Sequence, residues 1–172
     1  MGNILFIIGG ARSGKSSYAL ELGSGLPGRK GFIATAEAFD EEMKERISLH
    51  QKTRPLEWET IEEPVDLSKR LQNITGLYDV VIVDCLTLWL SNMLERDGDS
   101  EHIKTAILHL TSVLNDISYK VIIVSNEVGL GIVPENKVAR LFRDLGGWMN
   151  QKVASVADDV YLVTCGIPMR IK

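Results

Sequence analysis

Gly9-Gly10-Ala11-Arg12-Ser13-Gly14-Lys15-Ser16 is the stretch that decides the fold of this chain. It fits the phosphate-binding pattern G-x-x-x-x-G-K-[ST] at every fixed position. The apolar run 4–8 before it predicts a buried strand, and the segment 17–22 after it predicts a helix. In this strand–loop–helix setting, glycines let several backbone N–H groups point at one phosphate chain, and the helix N-terminus adds its positive dipole end. We call residues 9–16 the phosphate loop.

Two residues of the loop and one acid beyond it are candidates for chemistry. Lys15 is expected to reach the β- and γ-phosphates of a nucleotide, and the Ser16 hydroxyl to help hold Mg²⁺. Asp84 ends the apolar run Val80–Val83, and an acid at the end of a neighbouring strand orients the metal or its water shell in phosphate-loop proteins. Asp84 is equally suited to cap a helix over Leu86–Leu94, and the two roles are compatible.

Composition narrows the class of protein. The 172 residues predict a single domain over residues 1–172, and 45% hydrophobic residues suffice for one sizeable core. The formal net charge of −4 argues against a general nucleic-acid binder, which would show a basic face. No apolar run approaches transmembrane length, and no basic leader opens the chain, so we expect no membrane insertion and a cytoplasmic location. Cys85 and Cys165 form neither a disulfide framework nor a zinc site, and both are expected to be small core residues.

Short apolar runs alternate with helical patterns, which predicts an α/β fold with a mainly parallel sheet. The predicted strands are Asn3–Ile8, Lys30–Ala34, Val80–Val83, Val121–Val124, Val160–Val163 and a last antiparallel edge strand, Met169–Ile171. Amphipathic stripes predict one helix along residues 103–117 and another along residues 138–156, which Pro134-Glu135-Asn136 would start. Gly146-Gly147 inside the second stripe indicates a close approach by another element, a kink, or two separate helices.

A further helix is predicted over Asp40–Arg54, with Asp40 as its cap and Arg54-Pro55 at its end. His50 lies on the same face as Met43 and Ile47 and is expected to look toward the protein body. A neutral imidazole is a competent nucleophile near neutral pH and can hold a nucleotide as a phosphoramidate. By position alone, an ordinary core or surface histidine is the favoured interpretation.

Other polar residues give weaker signals. Residues 126–136 follow the Val121–Val124 strand, where open α/β sheets bind ligands, although a plain connection would look the same. His102 and His109 flank the apolar stripe of their helix and are expected on the surface. Four acids are expected to form a solvated face from which one carboxylate could still meet a ribose or a guanine edge: Glu57, Glu59, Glu62 and Glu63.

Together these motifs resemble the bifunctional adenosylcobinamide kinase/adenosylcobinamide-phosphate guanylyltransferase family of cobalamin biosynthesis, over essentially the whole chain. The phosphate loop is shared by many nucleotide-binding proteins, whereas the histidine segment and the run 126–136 are far more specific. The segments that carry the resemblance are Gly9–Ser16, Ile33–Ala36, Asp40–Met43, Arg46–His50, Asn126–Asn136 and Phe142–Asp144.

The resemblance implies a P-loop fold of the RecA-like kind and two reactions. A nucleoside triphosphate, ATP or GTP, phosphorylates adenosylcobinamide, and GTP then transfers GMP to the product through a covalent guanylyl-histidine, for which His50 is the matching position. The matching nucleotide contacts are Gly9–Ser16, Thr35, Ala36, Glu37, Gln51, Lys52, Thr53, Arg54, Glu62 and Asp84. Ala36 stands where the family usually has a serine, and Gln51 stands where it often has a basic residue. The resemblance also implies a homotrimer.

The same residues are compatible with other functional hypotheses. A one-step small-molecule kinase would share Lys15, Ser16 and Asp84 but give His50 no covalent role. A P-loop switch or motor acting on a macromolecule fits the loop, although the acidic balance counts against it. A family member could also have kept one activity alone. In any of these enzymes, Arg12 and Arg54 could neutralise triphosphate charge, with help from Lys52.

Overall fold

A computed structural model describes residues 2–38, 41–52, 54–96 and 98–172 of the chain, and only the backbone of residues 43, 46 and 49–52. The predicted cap Asp40 lies outside the described residues. Within these ranges the elements are β1 (Ile4–Gly9), α1 (Lys15–Ser24), β2 (Lys30–Ala34), α2 (Glu41–Lys52), β3 (Trp58–Glu62), α3 (Leu67–Asn73), β4 (Val80–Asp84), α4 (Leu86–Arg96), α5 (Ser100–Asp116), β5 (Lys120–Asn126), α6 (Lys137–Val156), β6 (Asp159–Thr164) and β7 (Ile167–Arg170).

The described strands form one sheet in the order β3-β2-β4-β5-β1-β6-β7. Every pairing is parallel except the pairing of β6 with β7, which is antiparallel. The predicted α/β class with an antiparallel C-terminal edge is therefore confirmed. The register brings the ends of parallel strands together at one edge of the sheet: Ala34 pairs with both Glu62 and Asp84, and Gly9 pairs with Asn126. We call this edge the carboxyl edge.

Helices cover both faces of the sheet, which explains why its central strands read as continuous apolar runs rather than alternating ones. Leu5 and Ile7 of β1 point to the face covered by α1, where Ala19 and Trp58 join the same buried cluster. Ile4 and Phe6 point to the opposite face, where the buried cluster includes residues of α3, α4, α5 and α6. Among the described helices, none is both long enough and apolar enough to cross a bilayer.

The first strand–loop–helix unit and the β2 range follow the prediction, while β4, β5 and β6 extend one to two residues beyond the predicted ends. Strand β7 begins two residues earlier than predicted because Cys165 and Gly166, both with positive φ, form a two-residue hairpin turn. This turn leaves Cys165 exposed, so the expectation that it is a core residue is wrong, whereas Cys85 is buried as expected.

Sequence reasoning missed β3 and α3. Strand β3 carries the acidic patch: Glu59 and Glu62 are exposed, and Trp58 is buried with its indole N–H donating to Ser24 Oγ at 3.2 Å. Glu57, Glu59 and Glu62 therefore face solvent as predicted, from an edge strand or beside it, where charged side chains are expected. Glu63 does not, because its side chain is only 13% exposed and pairs with Arg70 at 3.2 Å.

Helix α6 runs unbroken through Gly146-Gly147, so the interpretation as two helices is wrong. A Cβ placed on Gly146 would lie 3.7 Å from both Leu90 Cδ2 and Val128 Cγ2, which favours the close-approach interpretation. The predicted start is confirmed: Asn136 is the N-cap, and its side chain accepts a 3.0 Å hydrogen bond from Ala139 N–H.

Candidate nucleotide-binding site

The phosphate loop connects β1 to α1. Residues 12–17, which include the second half of the loop, line a concavity of about 250 Å³. Two glycines are required there. A Cβ on Gly9 would overlap the carbonyl oxygen of Val163, and Gly14, the N-cap of α1, has φ 99° with its missing Cβ 3.2 Å from Gly166 Cα. Gly166 N–H also donates to the Ser13 carbonyl at 2.8 Å. Strand β6 and the β6–β7 turn therefore pack against the phosphate loop.

Lys15 is the first residue of α1, and its ammonium group reaches back across the loop. Its Nζ donates to the Gly10 carbonyl at 2.6 Å, with Ser13 Oγ at 3.5 Å, and the residue is only 6% exposed. Burial lowers the pKa of Lys15, and interactions with Cys85 and Asp84 oppose that shift. A cation held in this way lies beside the concavity in which phosphate oxygens would compete with the Gly10 carbonyl.

Two acids at strand ends and one arginine form a charged group that includes Asp84, which interacts with Lys15. Asp84 ends β4, Glu62 ends β3, and Arg54 precedes β3. Arg54 stacks over the Phe32 ring at 3.9 Å from the centroid and donates to Thr60 Oγ1 at 2.9 Å. Burial lowers the pKa of Arg54, while Asp84 and Glu62 raise it. The site thus joins two cationic and two anionic side chains that the sequence analysis singled out.

The backbone after β2 is fixed to the backbone after β4 by Thr35. Its hydroxyl donates to the Cys85 carbonyl at 2.7 Å and accepts from Cys85 N–H at 2.8 Å, and its own N–H donates to the Asp84 carbonyl at 3.2 Å. The Asp84–Cys85 peptide bond is cis. Burial raises the pKa of Cys85 to about 12, with Asp84 adding to the shift, so this thiol stays protonated.

Glu37 also lies beyond the end of β2, where its Oε1 accepts a 2.5 Å charge-assisted hydrogen bond from Arg96 of α4. Its Oε2 is buried without a hydrogen-bond partner. Ala36, between Thr35 and Glu37, is half-buried. The three predicted contacts after β2 therefore share the carboxyl edge with Asp84.

The run Asn126–Asn136 begins at the carboxyl edge beside the phosphate loop. Glu127 N–H donates to the Gly9 carbonyl at 2.9 Å, and Asn126 N–H donates to Thr87 Oγ1 at 2.6 Å. Further along, Leu130 and Ile132 are 87% and 96% exposed. The start of the run thus supports the loop, while its middle projects into solvent.

The backbone of His50 lies near the end of α2. The side chains of His50, Gln51 and Lys52, and the whole of Thr53, lie outside the described residues, so their predicted roles stay predictions. His102 and His109 are exposed on α5 as predicted.

Ser16 and Asp84 supply a hydroxyl and a carboxylate, and Mg²⁺ prefers such oxygen donors. Both residues are only partly exposed. Mg²⁺ is usually bound by one or two protein ligands together with substrate phosphates. The donor set at the phosphate loop therefore fits Mg²⁺. Among the described residues, no three or more His, Cys, Asp or Glu side chains are grouped as a metal site of their own.

Sequence reasoning missed the polar side chains beneath the site. Asn92 of α4 is 1% exposed and donates to the Thr35 carbonyl at 2.7 Å and to the Pro64 carbonyl at 3.0 Å. Thr87 of α4 is also buried and lies 3.2 Å from Ser125, oxygen to oxygen. The available signal was a polar residue inside an otherwise apolar helix, because buried polar groups need hydrogen-bond partners.

Comparison with known proteins identifies the family that this chain matches. A family model described as cobinamide kinase / cobinamide phosphate guanyltransferase matches residues 5–171. The bifunctional adenosylcobalamin biosynthesis protein CobP of Pseudomonas aeruginosa is 40% identical over 166 residues, covering 96% of this chain and 95% of that protein. The protein of Escherichia coli K12 named bifunctional adenosylcobalamin biosynthesis protein CobU is 36% identical, covering 98% of this chain and 99% of its own length.

A solved structure supports the fold alone. An ATPase from the type III secretion system of pathogenic bacteria superposes with a TM-score of 0.60 at 14% identity, covering 95% of this chain and 51% of that chain. The two molecules share the P-loop α/β architecture, and an identity this low carries no statement about substrate.

Proposed function

The chain belongs to the cobinamide kinase / cobinamide phosphate guanyltransferase family, and we propose on that premise how one phosphate loop serves two reactions. The chain is a bifunctional enzyme of adenosylcobalamin biosynthesis, a cobinamide kinase and a guanylyltransferase. We propose the order kinase first, so that adenosylcobinamide phosphate is the acceptor of GMP and adenosylcobinamide-GDP is the product.

In the kinase step the terminal phosphoryl group of ATP or GTP passes to the aminopropanol hydroxyl of adenosylcobinamide. Such transfers depend mainly on positioning and on neutralisation of charge. Lys15 neutralises phosphate charge, and the loop N–H groups with the N-terminus of α1 bind the phosphate oxygens. Arg12 at the concavity and Arg54 beside Asp84 add positive charge to the site.

In the guanylyl step an imidazole nitrogen of His50 attacks the α-phosphorus of GTP. A nitrogen–phosphorus bond forms, the bond to the bridging oxygen breaks, and pyrophosphate leaves with that electron pair. A phosphate oxygen of adenosylcobinamide phosphate then attacks the same phosphorus and releases His50. The covalent intermediate lets GMP wait while pyrophosphate leaves and the corrinoid phosphate arrives.

Nucleotide contacts are proposed for the phosphate loop and for residues beyond it: Gly9–Ser16, Thr35–Glu37, Gln51–Arg54, Glu62 and Asp84. Mg²⁺, when bound by Ser16, Asp84 and the phosphates, would neutralise developing phosphate charge. A carboxylate such as Glu62 could accept from a ribose hydroxyl or a guanine edge. The assignments of Thr35–Glu37, Glu62 and Asp84 are supported by the carboxyl edge that β2, β3 and β4 share.

The remaining proposals concern the setting of the enzyme. We propose that residues 1–172 form one domain that assembles as a homotrimer in the cytoplasm and takes a corrinoid, not a nucleic acid, as its partner substrate. The acidic net charge of −4 favours a small-molecule substrate over a polyanion.

The observation that carries the nucleotide assignment is the placement of Lys15, whose ammonium group contacts the loop carbonyl of Gly10 and interacts with Asp84 at the strand end. The covalent role of His50 is tested by intact mass after incubation with GTP and Mg²⁺. We expect the mass to rise by one GMP in the unmodified chain and not in His50→Ala.

His109→Ala is the matched control, because His109 is one of the three histidines and is exposed on α5. Its adduct should equal that of the unmodified chain and should be lost in acid, as a phosphoramidate is. If folded, GTP-binding protein forms no adduct, or if His50→Ala forms as much, the covalent step is wrong. Kinase turnover without any adduct would then favour the single-activity kinase.

A further inference from the structure

Two buried polar side chains, Thr35 and Asn92, connect the ends of three strands directly beneath the candidate site. We propose that they are positioning residues, which act through Asp84 rather than by touching the nucleotide. This inference rests on the proposed function, in which Asp84 faces the nucleotide phosphates and their cation. It replaces the nucleotide contact proposed above for Thr35, because every hydrogen-bonding atom of that residue is already bonded to protein.

Thr35 uses all its hydrogen-bonding atoms on protein. Its N–H and its hydroxyl make three bonds of 2.7–3.2 Å to the backbone of Asp84 and Cys85, and its carbonyl accepts from Asn92. The residue is 0% exposed. The hydroxyl is therefore committed to the peptide that follows β4, and it fixes the backbone from which the Asp84 carboxylate projects.

Asn92 extends this connection to β3 and α4. Its side-chain amide has two N–H groups, and the structure gives that amide two carbonyl acceptors, one after β2 and one after β3. Because Cys85 alone separates Asp84 from α4, Asn92 also fixes the helix that leads away from the acid. Removing either side chain would leave buried backbone groups without partners, which a buried site tolerates poorly.

The consequence for the site is geometric. Asp84 interacts electrostatically with both Lys15 and Arg54, so a shift of its backbone changes how far the carboxylate lies from both cations and from the phosphate chain. A displacement of about 1 Å can lower a rate by roughly 100-fold. Substitution should therefore lower kcat much more than it weakens binding of the nucleotide itself.

The test compares Thr35→Val, which keeps the shape and removes the hydroxyl, with Thr35→Ser, which keeps the hydroxyl. Two sets of measurements are made: steady-state kcat and KM for both transfers, and the equilibrium Kd for GTP with and without Mg²⁺. For Thr35→Val we expect kcat to fall by about 10- to 100-fold. The Kd without Mg²⁺ should stay within about 2-fold, while the tightening of GTP binding by Mg²⁺ should largely be lost. Thr35→Ser should restore both quantities.

Tyr119→Phe is the control for loss of a buried hydrogen bond, because Tyr119 Oη donates to the Leu71 carbonyl at 2.8 Å, close to β5's other end. It should lower Tm without changing kcat or the effect of Mg²⁺. Asn92→Leu is the second removal variant if Thr35→Val does not fold, and it should show the same pattern as Thr35→Val.

Three results would overturn the inference. They are a removal variant with unchanged kcat and an unchanged Mg²⁺ effect, a Thr35→Ser enzyme as impaired as Thr35→Val, and a Tyr119→Phe enzyme that shows the same kinetic loss. The GTP-binding arm needs no turnover. GTP binding therefore tests the positioning role even if the unmodified chain lacks one of the two transfers. Absence of one transfer would count against the proposed function and not against the positioning role.

Discussion

The amide N–H of Gly166 donates a 2.8 Å hydrogen bond to the carbonyl oxygen of Ser13, so the β6–β7 turn is fastened to the phosphate loop. The same turn lies close behind Gly14, where a Cβ would be 3.2 Å from Gly166 Cα. The conformation of the loop therefore depends on a contact from the opposite end of the chain as well as on its own glycines.

Gly14→Ala should weaken nucleotide binding. Gly14 has φ 99°, a backbone conformation that costs a non-glycine residue about 1–3 kcal/mol, and its new methyl group would press on the β6–β7 turn. The loop should respond by shifting, so we expect the Kd for GTP to rise by at least about 10-fold, the equivalent of 1.4 kcal/mol. Calorimetric titration with GTP measures this change.

Gly76→Ala is the matched control for that substitution. Gly76 has φ 81°, but a Cβ there would meet no atom within 4 Å, and the residue lies before β4 at the amino ends of the strands. It should lower Tm through backbone strain alone and leave GTP binding unchanged. Equal loss of GTP affinity in both variants would show that strain anywhere, rather than the Gly14–Gly166 contact, is responsible.

Arg54→Lys should impair nucleotide use although the charge is kept. The guanidinium of Arg54 stacks on Phe32 and donates to Thr60, and a lysine ammonium cannot reproduce that planar arrangement. We expect KM for GTP to rise by about 5- to 10-fold, in line with a stacking and hydrogen-bonding loss of about 1 kcal/mol. Steady-state kinetics with varied GTP measures it.

Arg29→Lys provides the comparison, since Arg29 is an exposed partner of Asp79 away from the carboxyl edge. An exposed ion pair contributes little to stability or function, so both KM and Tm should change little. If Arg54→Lys behaves like Arg29→Lys, the stacked geometry has no role in nucleotide binding.

The phosphate loop and the apolar runs of the central strands were predictable because local pattern and context agreed. The run before Gly9 and the helix after Lys15 both obey short-range rules. Asp84 at a strand end was likewise predictable, because the carboxyl ends of parallel strands share one edge.

The parts that sequence reasoning missed depend on long-range contacts. Strand β3 carries two acids among its five residues and buries one tryptophan, and its pairing with β2 outweighs its charged composition. Cys165 looked like a core residue because an apolar strand precedes it, yet its place in the two-residue turn exposes it to solvent. The Thr35–Asn92 connection joins residues 57 positions apart, and no local pattern indicates which backbone carbonyl a buried amide will find.

Gly23→Ala should destabilise the fold without affecting the site. A Cβ on Gly23 would lie 2.6 Å from Trp58 Cη2, a ring atom of a buried side chain that cannot easily yield. Overpacking of this kind costs about 1–3 kcal/mol, so the midpoint of urea unfolding should fall. Gly25→Ala, two residues on, places its Cβ at an ordinary 3.6 Å from Leu22 O and should leave the midpoint unchanged. A lowered midpoint in Gly25→Ala alone would contradict this packing account.

Lys15→Met should separate catalysis from stability. Removing the ammonium group takes away the charge that faces the phosphates, so both transfers should slow by at least about 100-fold. Burial holds the pKa of Lys15 below its ordinary value of 10.5. The charged lysine therefore costs folding free energy at neutral pH, and Lys15→Met should be at least as stable there as the unmodified chain.

The sharper measurement is how the difference in unfolding free energy between Lys15→Met and the unmodified chain depends on pH. Between the lowered pKa of folded Lys15 and 10.5, the unfolded chain binds more protons than the folded one, so the contribution of Lys15 to stability rises with pH in that window. The free energy of unfolding of Lys15→Met minus that of the unmodified chain should therefore shrink as pH approaches 10.5. Taking this difference cancels the titration of other groups, such as Tyr119, whose pKa burial raises. A difference that stays constant or grows over the window would mean that burial does not control the charge of Lys15.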